Sequence, residues 1–464
     1  MQTRSLSIKM GGLSFNMTLE YIEKNSSRFI DELKSFLRIE SVSAQSIHKK
    51  DVIKCALWLK NHLADIGLDA NIIETAGNPI VRARAKGQSS KRLIIYGHYD
   101  VQPSEPLNEW ASPPFEPTVR EDKIFARGAT DDKGQLFAHI KGIESVLKTR
   151  GSLPCEVLFL IEGEEECGGH SLADYVKANK AELAAHAVVV SDGTMYGENQ
   201  PAIAYGLRGI IGFDFTVKGA MQDVHSGSFG GAVPNPAVAL ANILAKCVDA
   251  NGNVLIPGFY DDVLPLQKWE EDNFKRLAFD YAAFCEKLGI KKVLGTADVP
   301  TLVKLWARPT FEINGIFGGY TGQGGKTIIP SQATAKMSAR LVPNQNPEKL
   351  AGIIIDYIKS VCHDNVSLEF VGPGWANPVL FNVDDPIFET AKKAMTAGFG
   401  KEPVYIREGG SIPVVETFWK QLGAPVLLMG FGTEFDGAHA PNEHFGLTNF
   451  ISAVKTSAHL IENI

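Results

Sequence analysis

The sequence predicts an α/β protein of two domains, one inserted into the other. Three observations predict it. At 464 residues the chain exceeds what a single core usually serves. Several short, continuous apolar runs read as strands buried on both faces, and they alternate with helical stripes. After Tyr205 the style changes to half-exposed alternating strands, and it changes back after Pro386. The first domain is therefore expected over residues 1–206 and 382–464, with an α+β sandwich of residues 207–381 interrupting it.

Taken in order, the stretch from Thr18 to Leu68 is helical in pattern. Phe29, Leu33, Phe36 and Leu37 fall on one stripe, and Val52, Ala56, Leu59 and Leu63 on another. The first 16 residues lack the apolar core of a signal peptide and read as a disordered leader or a start-site artefact. Strands are expected at 69–74 and 80–85. The run Leu93-Ile94-Ile95-Tyr96 follows as a buried strand that Gly97 ends. His98 and Asp100 come two apart, so in extended chain both side chains share a face. They stand at a strand's carboxyl end, where open α/β sheets bind ligands. An imidazole beside a carboxylate begins many metal sites, because a ligating His needs its second nitrogen held. A satisfied surface pair explains it equally well.

Arg127–Gln135 opens a helix with the apolar stripe Leu136, Ile140, Ile143 and Leu147. Capping accounts for one acid at such a helix start, but Asp131 and Asp132 are two. The strand Val157–Ile161 runs straight into Glu162-Gly163-Glu164-Glu165-Glu166. A solvated charge run is the ordinary explanation, yet carboxylates crowded at the exit of a buried strand repel unless something positive compensates. The strand Val188–Val190 again leads to an acid, Asp192. Four such ends imply a convergent acidic pocket, and that calls for a divalent metal. His439 lies in the Gly/Pro-containing loop Phe435–Glu443 beyond the strand Leu427–Met429. A lone loop histidine is usually a surface residue; its case depends on the site already assembled.

In the middle of the chain Ile210–Val217 and Ala333–Val342 read as alternating strands, and Asn235–Cys247 and Leu350–Val361 as helices. Residues 248–307 are polar and aromatic without a clear period. The glycine-rich Asn314–Gly325 reads as a mobile closure element. A helix at Ile387–Phe399 and a strand at Pro425–Gly430 return to the first style.

A net charge of −7, with no long Lys or Arg run, argues against nucleic acid or an anionic membrane as partner. No apolar run approaches the ~20 residues that span a bilayer. The six cysteines (Cys55, Cys155, Cys167, Cys247, Cys285, Cys362) are scattered without a CxxC pair, as in a cytoplasmic protein with reduced thiols. Paired acids alone would suit a glycosidase, but that leaves His98, His439 and Asp131 unexplained.

The motifs Gly-His-Tyr-Asp-Val-Gln-Pro at 97–103, Gly-Ala-Thr-Asp-Asp-Lys-Gly at 128–134, Glu-Gly-Glu-Glu-Glu at 162–166, Ser-Asp-Gly at 191–193 and Asp-Gly-Ala-His-Ala-Pro-Asn-Glu at 436–443 resemble the M20 metallopeptidases in order and spacing. The resemblance covers Asp31 to the C-terminus. Arg-Glu-Gly-Gly-Ser-Ile-Pro at 407–413 is similar to the carnosinase-like and cytosolic non-specific dipeptidases, rather than to the acetylornithine or succinyl-diaminopimelate deacylases. This resemblance implies a zinc-peptidase α/β catalytic domain with the insert as lid and dimerisation domain. It implies two divalent ions per subunit, zinc first, with manganese or cobalt as alternatives. His98 and Asp192 would hold one, Glu166 and His439 the other, with Asp131 bridging. Glu165 would be the general base, and Asp100 would orient His98. His225, in Asp223–Gly227, would cross a dimer interface into the partner's site.

By the same resemblance Arg340 would clamp the substrate's terminal carboxylate and Glu408 its free amine, with Thr327 and Ser411 in support. Without it, Arg340 reads as half of a surface ion pair and Glu408 as a loop carboxylate. Two departures stand out. Cys167-Gly168-Gly169 replaces the family's frequent Ser-Gly-Ser, and the lid's only histidines are His225 and His363, so a further lid histidine of some relatives has no counterpart. The function implied is hydrolysis of short unblocked peptides, chiefly dipeptides, by a cytoplasmic homodimer. An N-acyl amino acid deacylase or aminoacylase on the same scaffold is the alternative. An inactive binding relative is a third, opposed by the presence of every ligand and the base.

Overall fold

The computed structural model describes residues 2–410 and 412–464, with side chains described from residue 15 onward. The chain divides into two compact units, one of residues 1–205, 381–406 and 414–464, the other of 206–380 and 407–413.

The first unit is built on a mixed sheet. Across it the order is Asp69–Ile73, Ile80–Ala85, Glu156–Glu162, Arg92–His98, Ala187–Val190, Val426–Leu428 and then the strand that starts at Ala202. Ile94, Val157, Phe159 and Val188 are sealed from solvent, as strands covered on both faces require. Arg92–His98 runs parallel to both of its neighbours, with His98 opposite Glu162 and Tyr96 opposite Val190. Parallel neighbours deliver their carboxyl ends to one edge, so His98, the Glu162–Glu166 turn and Asp192 emerge side by side.

The helix Lys133–Arg150 departs from its sequence stripe, because every residue from Lys133 to Val146 is buried. Its polar residues are matched inside. Lys141 donates from Nζ to Glu144 and to His62 Nε2, both at 2.7 Å, and pairs with Glu32 at 2.5 Å. Lys133 donates to the Ile39 carbonyl (2.7 Å), and His139 joins Ser191 and Ser457. Buried polar groups so paired escape the desolvation penalty. Gly142 permits close approach to the C-terminal helix Leu447–Asn463, since a Cβ there would sit 2.6 Å from that of Ser457. The helical pattern of 18–68 becomes two helices, Gln2–Leu37 and Lys49–Asp65. The first carries a helical backbone through the stretch before Met17 that the sequence marks as a leader.

The second unit holds a four-stranded antiparallel sheet ordered Thr310–Gly318, Gln332–Leu341, Gly209–Lys218, Ser367–Ala376. Ile211, Phe213, Phe215 and Val217 alternate onto one face, where Leu240 and Ile243 of the helix Pro236–Cys247 and Ile354 and Ile358 of the helix Pro347–Val361 cover them. The period-free segment contains three short helices, Lys268–Arg276, Tyr281–Lys287 and Thr301–Trp306. Part of the glycine-rich stretch, 314–318, is edge strand, its backbone paired to 333–336.

Candidate metal centre

Each ligand-type side chain leaves a different element of the first unit. His98 ends its strand and is fully buried. Its Nδ1 donates to the Asp100 carbonyl (3.0 Å), which leaves Nε2 as the atom turned to the acids, 3.1 Å from Asp131 Oδ1 and 3.8 Å from Asp192 Oδ1. Asp131 lies in the turn before the helix Lys133–Arg150. Its other oxygen, Oδ2, is 2.9 Å from His439 Nε2, which in turn lies 3.4 Å from Glu166 Oε2. Two groups result, His98–Asp131–Asp192 and Asp131–Glu166–His439, each with ligand atoms within 4.8 Å of one another and with Asp131 in common. Two imidazoles and three carboxylates fit divalent ions of the zinc class.

The electrostatics agree with that fit. Burial opposes a charge on His98, yet Asp100, Asp131 and Asp192 raise its pKa well above the ordinary histidine value. Hydrogen bonds to Asp131 and Glu166 push His439 up to about 10. Asp131, which burial alone would raise, is held below the usual carboxylate range by His439 and His98. Protons gathered on imidazoles among carboxylates mark where cationic charge is wanted, and metal binding displaces them. A third group with metal-type spacing, Glu32–His62–Glu144, already encloses the Lys141 ammonium.

The acidic run at 162–166 is not a solvated patch. Glu162 accepts from Tyr96 Oη (3.0 Å), and Glu164 accepts from the backbone N–H groups of Asn78 and Ser171. Glu166 joins the second ligand group, while Glu165 belongs to neither. Burial pushes Glu165 up to about 8, against His98 and with Asp192 and Glu166 adding to it. Asp132 begins the helix without capping it; its carboxylate accepts from the His98 backbone N–H instead (3.2 Å). Asp100 holds His98 chiefly through its carbonyl. Its carboxylate accepts from Ser43 Oγ (2.6 Å) and from the Glu166 N–H (3.1 Å), and so fixes the Glu166 turn. Cys167 Sγ donates to the Glu164 carbonyl and stands outside both ligand groups.

Sequence reasoning passed over three supporting residues. Glu443, buried, accepts from Arg127 and Gly128 with one oxygen and from the N–H groups of Thr130 and Asp131 with the other. It thereby ties the His439 loop to the Asp131 turn. Gln102 donates to Glu166 Oε2 (2.8 Å), and Ser43 grips Asp100. Gln102 and Glu443 lie inside the recurring motifs, the one signal that could have found them. His439 itself has φ 63°, a backbone region that costs a non-glycine residue about 1 kcal/mol or more and is held by its surroundings.

The other expected residues lie in the second unit. His225 is exposed, and its Nδ1 accepts from the Gly227 N–H (3.0 Å). Thr327 is adjacent, its carbonyl accepting from the Ser226 N–H. Arg340 faces a cavity together with Arg208. Glu408 ends the strand Val404–Glu408, and its carbonyl accepts from the Arg208 N–H. Ser411 lies outside the described residues.

Residues 94–463 match the pattern of peptidase family M20/M25/M40. A Cys-Gly metallodipeptidase of Schizosaccharomyces pombe is 33% identical over 460 residues, covering 96% of this chain and 97% of that protein. The crystal structure of human carnosine dipeptidase 1 superposes with a TM-score of 0.85 at 30% identity, covering 97% of this chain and 98% of that one. An M20 family metallo-carboxypeptidase from Sulfolobus solfataricus gives 0.86 at 33% identity, covering 94% and 98%.

Proposed function

The chain belongs to peptidase family M20/M25/M40, and we propose that it is a metal-dependent dipeptidase centred on the shared carboxylate of Asp131. The observation that carries this reading is the division of Asp131's oxygens, Oδ1 toward His98 and Oδ2 toward His439. Two divalent ions would be held, one by His98 and Asp192 and one by Glu166 and His439, with Asp131 shared by both groups. Zinc suits the donors best, and manganese or cobalt would be accepted by the same set. Bound ions supply activation of the attacking water and polarise the scissile carbonyl.

The chain's own groups do the rest. Glu165 takes the proton of the attacking water and returns it to the leaving amine. Its burial favours the protonated form, and divalent charge nearby would lower its pKa from there. His225 donates to the oxyanion. Because its Nδ1 is an acceptor, Nε2 carries the proton in the neutral ring. Arg340 holds the substrate's carboxylate and Glu408 its ammonium, with Thr327 and Ser411 alongside. A cation and an anion at fixed separation select by length, and so favour dipeptides.

A homodimer accounts for His225 serving the partner's site. The exposed Ile316 and Phe317 on the edge strand Thr310–Gly318 support such an association. No described helix is long and apolar enough to cross a membrane, and the cytoplasm is the proposed location.

The deciding experiment compares unblocked dipeptides, matching N-acetyl amino acids and a longer peptide, each with chelator and with metal restored. Metal-dependent cleavage confined to free dipeptides is expected. Glu408→Ala should lower dipeptide turnover at least about 100-fold while altering any N-acyl cleavage far less. Equal losses on both substrates would remove Glu408 from the amine site and favour the deacylase alternative.

A further inference from the structure

Three buried polar side chains at the opening of the helix Lys133–Arg150, those of Asp132, Gln135 and His139, stand three and then four residues apart. That spacing puts them on one helical face. Each holds the carboxyl end of a different strand. Asp132 Oδ2 accepts from the His98 N–H (3.2 Å), at the end of Arg92–His98. Gln135 Oε1 accepts from the Phe431 N–H (2.7 Å), just past Val426–Leu428, and its Nε2 donates to the Thr130 carbonyl (2.8 Å). His139 Nε2 lies 2.7 Å from Ser191 Oγ, the first residue past Ala187–Val190. Its Nδ1 lies 3.0 Å from Ser457 Oγ on the C-terminal helix. The three strands held in this way are consecutive in the sheet.

Strand pairing stops short of Asp192. The ladder of Ala187–Val190 ends with Val190 opposite Tyr96 on one side and Leu428 on the other. Asp192 comes two residues later, so the sheet sets the direction in which it leaves but not its distance from Asp131. The helix joins the two. Asp131 lies in the turn at its start, and His139, two turns along, reaches the residue before Asp192. The helix also lies hard against the strand that carries His98. A Cβ on Gly97 would come 2.8 Å from Asp132 Oδ2 and 2.9 Å from Leu136 Cδ1. A helix fixes the spacing of its own side chains by its hydrogen-bonded geometry. It is therefore a rigid reference for chain segments that have left their ladder. Any buried histidine needs partners; the partner of this one is the neighbour of a ligand-type carboxylate.

We propose that His139 is a positioning residue for Asp192, so that one helix sets the separation of Asp131 and Asp192, the two carboxylates nearest His98 Nε2. The inference rests on the reading of those three residues as ligands of one divalent ion. Gln135 acts in parallel, joining Thr130, next to Asp131, to the chain that leads from Phe431 toward His439. A carboxylate whose support is cut keeps its donor atoms and loses its direction. Loss of such a supporting contact costs about 10–100-fold in metal affinity.

The test titrates zinc into the metal-free full chain against a competing chelator, with elemental analysis of the ions retained. A glutamine amide reaches about as far as histidine Nε2 and an asparagine amide about as far as Nδ1. His139→Gln thus keeps the contact to Ser191, and His139→Asn keeps only that to Ser457. In His139→Asn one of the two ions should bind about 10–100-fold more weakly, and His139→Gln should recover most of that loss. Ser191→Ala cuts the same contact from the strand side and should match His139→Asn. The two changes together should lose no more than either alone, as residues acting through one contact do. If the histidine variants do not fold, Ser191→Ala still decides. Unchanged affinity for both ions in Ser191→Ala, or an Asn variant that binds as well as the Gln variant, overturns the inference. The dipeptidase reading then stands, because the wild-type chain still takes up two ions. A wild-type chain that takes up none overturns that reading, and the inference with it.

Discussion

Asp131 divides its two oxygens between two imidazoles that arrive from distant parts of the chain. Asp131→Asn removes the carboxylate's charge and leaves one oxygen donor where there were two. Metal content by elemental analysis should fall below two ions per chain, and turnover should drop at least about 100-fold. Full metal content with normal turnover would refute the shared position. Glu165 is a different case, because it belongs to neither ligand group. Glu165→Gln should keep the metals and lose about 10²–10⁴ in kcat. The carboxylate must be ionised to accept a proton, so kcat/KM falls as pH falls through its pKa. Burial without metal puts that value at about 8, and bound cations lower it, so the acid limb belongs below pH 8. A pH–rate profile with its acid limb above 8 would contradict the assignment.

Among the elements, the helix Lys133–Arg150 carries an unusual load, with two lysines, a histidine and a glutamate buried along it. Lys141 binds His62, and burial together with the Lys141 charge pushes His62 down to about 4. The sign follows directly. Below pH ~6.5 the unfolded chain takes up a proton that the folded chain refuses, so stability is lost as pH falls from there toward 4. The loss attributable to His62 is at most about 3 kcal/mol. Urea unfolding of chelator-treated protein between pH 7 and 4.5 should show it, and His62→Gln should flatten the slope. An unchanged slope would place the acid sensitivity elsewhere, with buried His139, pushed down to about 3, as the next group to examine.

At the scale of the whole molecule, the proposed dimer makes a quantitative statement about mixed subunits. His225→Ala and Glu165→Gln should each be nearly inactive alone. In a mixed dimer, the site that keeps Glu165 borrows His225 from its neighbour. Equal amounts, denatured together and refolded, should therefore recover about a quarter of wild-type activity, one working site in half of the dimers. No recovery, with mixed dimers present by mass, would mean that His225 serves its own chain or none.

Much of this protein is written locally in the sequence. Short apolar runs such as 93–96 and 157–161 can only be satisfied as buried strands, and the acids that follow them must then lie at strand ends. That placed His98, Glu165, Glu166 and Asp192 before any contact was known. The sequence could not say which strands are neighbours. The sheet sets Arg92–His98 between two strands that come more than 50 residues later, and their parallel register brings three ends to one edge. Nor could it divide the acids by task, since Glu162, Glu164, Glu165 and Glu166 differ in their partners and not in their chemistry. Lys141 shows the limit from the other side. Glu32, His62 and Glu144 come together with metal-type spacing only in the folded chain, and there the same fold supplies the lysine that occupies them. Spacing along a strand or helix is fixed by covalent geometry and reads directly from sequence. The grip of Glu443 on the Asp131 turn and the gathering of Arg208 with Arg340 depend on contacts between segments far apart in the chain, and tertiary packing alone decided them.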